Sequence, residues 1–209
     1  FNPRWRSTEM RESLSDGHPD DIILLYVGRL SPEKQLMQLR AVLENVPNTR
    51  LALVGDGPDR AKLEQHFAGL PVVFMGYQQG EVLSQAYASA DVFVFTSALE
   101  TFGLVVTEAM AAGLPVVASR VGGVGDVISE GVNGYSFDVG DTQGLIDGVR
   151  RITSSRETIQ EMSIAARAFA ETQTWESMMD EVIDLYEELI TDRTQRRRSG
   201  SSKRSVVAH

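Results

Sequence analysis

The sequence has no cysteine in 209 residues, which excludes disulfides and thiolate metal sites. It has no apolar run near the ~18 residues that mark a membrane-spanning helix. It opens FNPRWRS, with neither an initiating Met nor a charged-then-apolar leader, so an interior or processed segment is expected rather than a secretory precursor. Basic charge is scarce over most of the length. The net charge is −9, yet the final 19 residues, TDRTQRRRSGSSKRSVVAH, carry about +5 and leave about −14 on the rest. An acidic body argues against nonspecific nucleic-acid binding, and no nucleic-acid partner is expected. The tail, rich in Ser and Arg, reads as disordered and solvated, with contact to anionic lipid headgroups as the alternative. The dinucleotide fingerprint G-x-G-x-x-G, a Walker A loop and a metal-binding D-x-D pattern are also missing.

What is present is an alternation of short β-branched runs with longer helical patterns. The strand candidates are DIILLYVG, RLALVG, VVFMG, DVFVFTS, LPVVAS and, more weakly, GYSFDVG. Helical patterns lie between them at 33–46, 58–69, 81–90 and around 101–112, and the chain becomes wholly helical through 142–155, 157–173 and 175–190. With 42% hydrophobic residues and this order of elements, the expectation is an α/β fold, a Rossmann-like doubly wound parallel sheet with carboxyl-terminal helices. The expected boundaries are 1–13 as a linker or domain start, 14–190 as the Rossmann-like domain and 191–209 as the basic tail.

In an open α/β sheet ligands bind beyond the carboxyl ends of the strands. The first strand runs into GRLSPEK. Gly28 with the cations Arg29 and Lys34 suits a phosphate group, since Arg can hold oxygens bidentately and Lys adds a compact charge. The alternative is that both cations pair with Glu33 or lie in water. The second strand runs into GDGPDR, a tight turn in which Arg60 takes the third glycine place of the dinucleotide fingerprint. Gly76 and Tyr77 after the third strand could lie beside a flat base, or form a turn with a surface tyrosine.

The fourth strand leads into LETFGLVVTEAMAAGLPVVASR, whose one interior charge after Glu100 is Glu108. Thr101 is the expected N-cap, which would leave the amides of Phe102, Gly103 and Leu104 as free donors facing an anion. Glu100 sits just before that helix, and at its rise per residue Glu100 and Glu108 would stand about 9–12 Å apart along the axis. A carboxylate in so apolar a helix costs several kcal/mol without partners. The vicinal hydroxyls of a ribose offer two donors, each charge-assisted bond worth about 1.5–3 kcal/mol. The alternative is that Glu108 points outward.

Together GRLSPEK, VGDGP, FMGY, ADVFVFTS and ETFGLVVTEAMAAGLPVVAS followed by GG resemble the donor half of the retaining glycosyltransferases of family four, across about residues 1–190. That resemblance implies the carboxyl-terminal domain of a GT-B fold, with an amino-terminal acceptor domain outside this chain. It implies a nucleotide-sugar, UDP-linked, as substrate, with no cofactor or metal. Arg29 and Lys34 would hold the diphosphate and Glu108 the ribose. Glu100 and the amides of Phe102, Gly103 and Leu104 would meet the sugar and phosphate, and Gly76 and Tyr77 the base. Glu100, Arg29 and Lys34 are the residues expected to act in the reaction. FNPRWRSTEMR, GDGP and LSQAYASADVFVF look most like the plant and cyanobacterial sulfoquinovosyltransferases, which implies UDP-sulfoquinovose, a diacylglycerol acceptor and peripheral attachment to a chloroplast or cyanobacterial-type membrane. Related lipid mannosyltransferases share most of these strings. Departures from the family pattern are Thr96 and Gly125, where many relatives have Pro, and Gln35, where Gly or Asn often follows the Lys.

No residue suggests itself as general base. Rival readings are a GDP-mannose- or UDP-glucose-dependent lipid glycosyltransferase, a nucleotide-sugar binding module without turnover, and an NAD-dependent oxidoreductase.

Overall fold

The computed structural model describes residues 1–173 together with Ile183 and Tyr186. All six expected strands form, as β1 (Ile22–Val27), β2 (Thr49–Val54), β3 (Val72–Gly76), β4 (Val92–Phe95), β5 (Val116–Ser119) and β6 (Gly134–Phe137). They pair in parallel in the order β3-β2-β1-β4-β5-β6. Chain order reverses between β1 and β4, so the crevice above these two strands is where such a sheet takes a ligand. Their residues are buried almost throughout, and a strand covered on both faces needs this near-continuous apolar run. Tyr26, Phe93 and Phe95 are its largest fully buried side chains.

The covering helices are α1 (Thr8–Leu14), α2 (Leu39–Asn45), α3 (Arg60–His66), α4 (Gly80–Ser89), α5 (Leu104–Ala111), α6 (Thr142–Ile152) and α7 (Arg156–Thr172). Helix α5 stops as its sequence requires. Gly113 takes φ 82°, its N–H reaches Met110 O at 2.9 Å and that of Leu114 reaches Ala109 O at 3.0 Å. These are the paired bonds of a Schellman end, followed by Pro115.

Two local expectations change. The helix foreseen over 33–46 is two 3-10 turns followed by the short α2. The carbonyls of Glu33 and Lys34 accept the Ala98 N–H at 2.7 Å and the Thr96 hydroxyl at 2.6 Å, so they are unavailable to a helical ladder, and Gln35 turns left-handed at φ 49°. Helix α5 begins at Leu104, with Gly103 at φ 65° as its N-cap, so Thr101 is not the cap. Of the two readings of residues 1–13, linker or domain start, they take part in the packed domain. Ser7 caps α1 by accepting the Met10 N–H, and Arg11 of α1 is buried against Asp91 at 2.9 Å. The expected helix over 175–190 and the tail over 191–209 lie outside the described residues, apart from Ile183 and Tyr186, which are helical. Among the described residues no helix is long and apolar enough to cross a membrane.

Candidate nucleotide-sugar site

Beyond the carboxyl ends of β1 and β2 lies a cleft of about 480 Å³, lined by residues from the loops after β1, β2 and β3 and by α4 and α5. Close backbone packing makes its floor. A Cβ on Gly55 would fall 1.9 Å from Gly28 O, and one on Gly57 would fall 2.3 Å from Leu30 O, so only glycine lets these two strand-end loops touch. Gly28, Arg29, Tyr77 and Glu108 all line the cleft. Arg29 is exposed, and among the described residues its guanidinium has no hydrogen bond or ion pair. The loop beneath it is held by the buried Tyr26, whose hydroxyl donates to Arg29 O at 3.0 Å.

Glu108 points inward. On α5 the residues Val106, Ala109 and Met110 are buried in the core, while Val105 and Glu108, three apart and so on one side of the helix, line the cleft. The Glu108 Oε2 accepts the hydroxyl of Tyr87 at 3.1 Å. Burial pushes the Glu108 carboxyl above its ordinary value, with the Tyr87 hydrogen bond opposing the rise. Burial and the facing carboxylate push the Tyr87 phenol far above its own range, so it remains a donor at any working pH. The outward-pointing alternative for Glu108 is therefore set aside.

A second group forms around Lys34 and Glu100, whose Nζ and Oε2 stand 3.2 Å apart. The alternative pairing of Lys34 with Glu33 is not made, since Glu33 instead accepts the Ser31 hydroxyl. The Lys34 ammonium also lies over the Phe95 ring, 5.5 Å from its centroid. Burial raises the Glu100 carboxyl, but the N–H groups of Thr101 and Gly103 and the Lys34 ammonium outweigh it, so the group ends below its ordinary value. Behind it the Gly122–Gly123 loop packs so closely that a Cβ on Gly122 would meet Glu100 O at 2.3 Å.

As expected, Glu100 precedes the helix, in the loop 100–103, while Glu108 lies within α5. Of Phe102, Gly103 and Leu104, Leu104 lies in the first turn of α5 and Gly103 is its N-cap. The Gly103 N–H lies beside the Glu100 carboxylate and helps hold it low, and the first-turn donors belong to Leu104 and Val105. The side chains of Phe102 and Leu104 project outward, 75% and 65% exposed. Gly76 does not line the cleft, and its carbonyl accepts the Gly55 N–H at 2.8 Å. Tyr77 is a surface residue, 72% exposed, that also lines the cleft.

Sequence reasoning missed Asp56, Gln78, Gln79 and Leu83, which complete the walls, and Tyr87. Leu83 and Tyr87 stand four apart on α4, which puts them on one side of the helix as the three-residue spacing of Val105 and Glu108 does on α5, and that helical spacing was the available signal. Among the described residues no three His, Asp or Glu side chains are grouped to hold a metal ion.

Residues 9–169 match the family model described as glycosyl transferases group 1. The sulfoquinovosyl transferase SQD2 of Arabidopsis thaliana is 48% identical over 178 residues, covering 84% of this chain and 35% of that protein. A GDP-mannose-dependent alpha-mannosyltransferase of Mycobacterium tuberculosis is 39% identical over 197 residues, covering 93% of this chain and 50% of its own length. The chain thus spans between about a third and a half of these relatives. Among solved structures, Anabaena Alr3699/HepE in complex with UDP and glucose superposes with a TM-score of 0.74 at 26% identity, over 90% of this chain and 55% of that one. A sucrose-phosphate synthase from Thermosynechococcus elongatus has the same TM-score at 29% identity, over 92% and 51%. By its strand order, its cleft and these matches, the chain belongs to the glycosyl transferases group 1 family, with the GT-B type of Rossmann-like domain.

Proposed function

We propose that this chain is the donor-binding half of a retaining glycosyltransferase that moves a sugar from a UDP-linked donor to a lipid acceptor. The observation that carries this is the cleft beyond the carboxyl ends of β1 and β2, lined by the exposed cation Arg29 and the inward-facing Glu108. In this reading Glu108 accepts the ribose hydroxyls, Arg29 and Lys34 face the diphosphate, Tyr77 lies against the base, and Glu100 with the backbone of 102–104 meets the sugar. As the glycosidic carbon leaves the phosphate, negative charge grows on the departing oxygen. Arg29, Lys34 and the first-turn amides of α5 stabilise that charge without any proton transfer. The chain needs no metal in this scheme.

The finer reading is UDP-sulfoquinovose as donor and diacylglycerol as acceptor, and it is supported by the Arabidopsis relative. The acceptor would be bound with an amino-terminal domain beyond this chain, at a chloroplast or cyanobacterial-type membrane to which the enzyme attaches peripherally. The mycobacterial relative favours GDP-mannose as a second donor candidate. Calorimetric titration with UDP-sulfoquinovose, UDP-glucose, GDP-mannose and NAD tests both levels. Tightest binding of UDP-sulfoquinovose is expected. Preference for GDP-mannose would replace the donor, and saturable binding of NAD alone would overturn the glycosyltransferase reading.

A further inference from the structure

Tyr87 is completely buried, with its ring tilted against Phe93 at 5.9 Å between centroids and edge-on to Phe1 at 4.8 Å. A phenol this deep is usually placed for packing alone, and its hydroxyl then needs some acceptor. Here the acceptor is a carboxylate that lines the ligand cleft. Among the described residues the Tyr87 hydroxyl is the only hydrogen-bond donor to the Glu108 carboxylate.

We propose that Tyr87 is a positioning residue for the donor: its hydroxyl fixes Glu108 so that the free carboxylate lone pairs face the cleft and grip a vicinal diol. The inference rests on the ribose role given to Glu108 above. A glutamate side chain left loose loses rotamer freedom when a ligand finally orders it. One bond from a rigid, buried phenol removes part of that cost before the ligand arrives. The count of lone pairs also closes. An ionised carboxylate has about four acceptor sites; Tyr87 uses one on Oε2, and a diol needs one on each oxygen. Tyr87 therefore does not compete with the ribose. It selects which way the carboxylate turns.

The test compares the affinities of UDP and 2′,3′-dideoxy-UDP by calorimetry on the whole chain. Tyr87→Phe keeps the ring and removes only the donor. A net hydrogen bond of about 0.5–1.5 kcal/mol corresponds to UDP binding weakened about 2- to 12-fold. Binding of the dideoxy analogue should stay within about 2-fold, because without the diol the orientation of Glu108 no longer matters. In the Glu108→Ala background the same change should have no further effect. Replacing Tyr87 with 4-aminophenylalanine, which restores a donor at the same reach, should restore the UDP preference, and this rescue also guards against a general loosening of the fold.

Equal weakening of both nucleotides by Tyr87→Phe would show a packing role only and overturn the proposal. Unchanged UDP affinity in Tyr87→Phe, with UDP binding still weakened by Glu108→Ala, would also overturn it while leaving the ribose role standing. If Glu108→Ala itself leaves UDP binding intact, the ribose role fails first and the positioning role falls with it.

Discussion

Replacing Asp91 by Ala should destabilise the domain strongly and leave its nucleotide affinity untouched. Asp91 is buried at 6% exposure and holds two cations. Arg11 reaches it at 2.9 and 3.2 Å and Arg156 at 3.0 Å, while its Oδ2 also accepts the Ile23 N–H at 2.8 Å. Arg156 is half exposed and can turn to water. Arg11 cannot, since its side chain is only 10% exposed. Removing one partner of a buried pair costs about 3–5 kcal/mol, because the other charge is left behind. Arg11 keeps the carbonyls of Pro19, Ser89 and Asp21, which places the loss near the lower end, about 3 kcal/mol. That is a large share of a total of about 5–15 kcal/mol. Urea unfolding followed by circular dichroism reads it as a lower midpoint at unchanged slope. Asp91 precedes β4 at the amino end of the strands, away from the cleft, so the UDP dissociation constant should stay within about 2-fold. A stability loss below about 1 kcal/mol would refute this account of how α1 is anchored.

Other consequences follow from the site. Because burial raises the Glu108 carboxyl, UDP binding should fall away on acidification at a higher pH than the ordinary glutamate value of about 4.3, as read by calorimetry across pH 4–7. The same raised group makes its contribution to folding below its ordinary value and loses it as pH rises through the folded one, whereas Glu100, held low, contributes above its ordinary value and loses it as pH falls through its depressed one. Lys34→Met should change thermal stability little, since a partly exposed pair is worth about 0–1 kcal/mol, while weakening UDP binding about tenfold or more. Arg29→Ala should leave urea unfolding within about 0.5 kcal/mol of the parent and weaken UDP binding similarly. Gly57→Ala should cost about 2 kcal/mol or more in the same unfolding assay, because the new methyl meets the Leu30 carbonyl at 2.3 Å.

The sheet was legible because buried parallel strands must be near-continuous apolar runs, and DIILLYVG or DVFVFTS leaves little choice. The cations and Glu108 were legible because charge at a strand end, or inside an apolar helix, stands out against its neighbours. Residues that act through long-range contact were not. Helix α1 looks like a polar lead-in until Asp91, 80 residues later, supplies the partner that buries Arg11. The break in the 33–46 helix depends on Thr96 and Ala98 taking the Glu33 and Lys34 carbonyls, a competition that local helix propensity cannot reveal. Thr96 shows the same point from another side. Its hydroxyl ties the Lys34 loop to the end of β4, a contact between residues 62 apart that no local pattern announces. Tyr87 lies in the core, and nothing in LSQAYASAD shows that its hydroxyl reaches a carboxylate from α5.

A crystal structure of this chain with UDP tests the central claim most directly. The account predicts both ribose hydroxyls within about 3.2 Å of the Glu108 oxygens and the diphosphate between Arg29 and the start of α5. UDP bound elsewhere, or bound in the cleft with Glu108 still turned only to Tyr87, would contradict it.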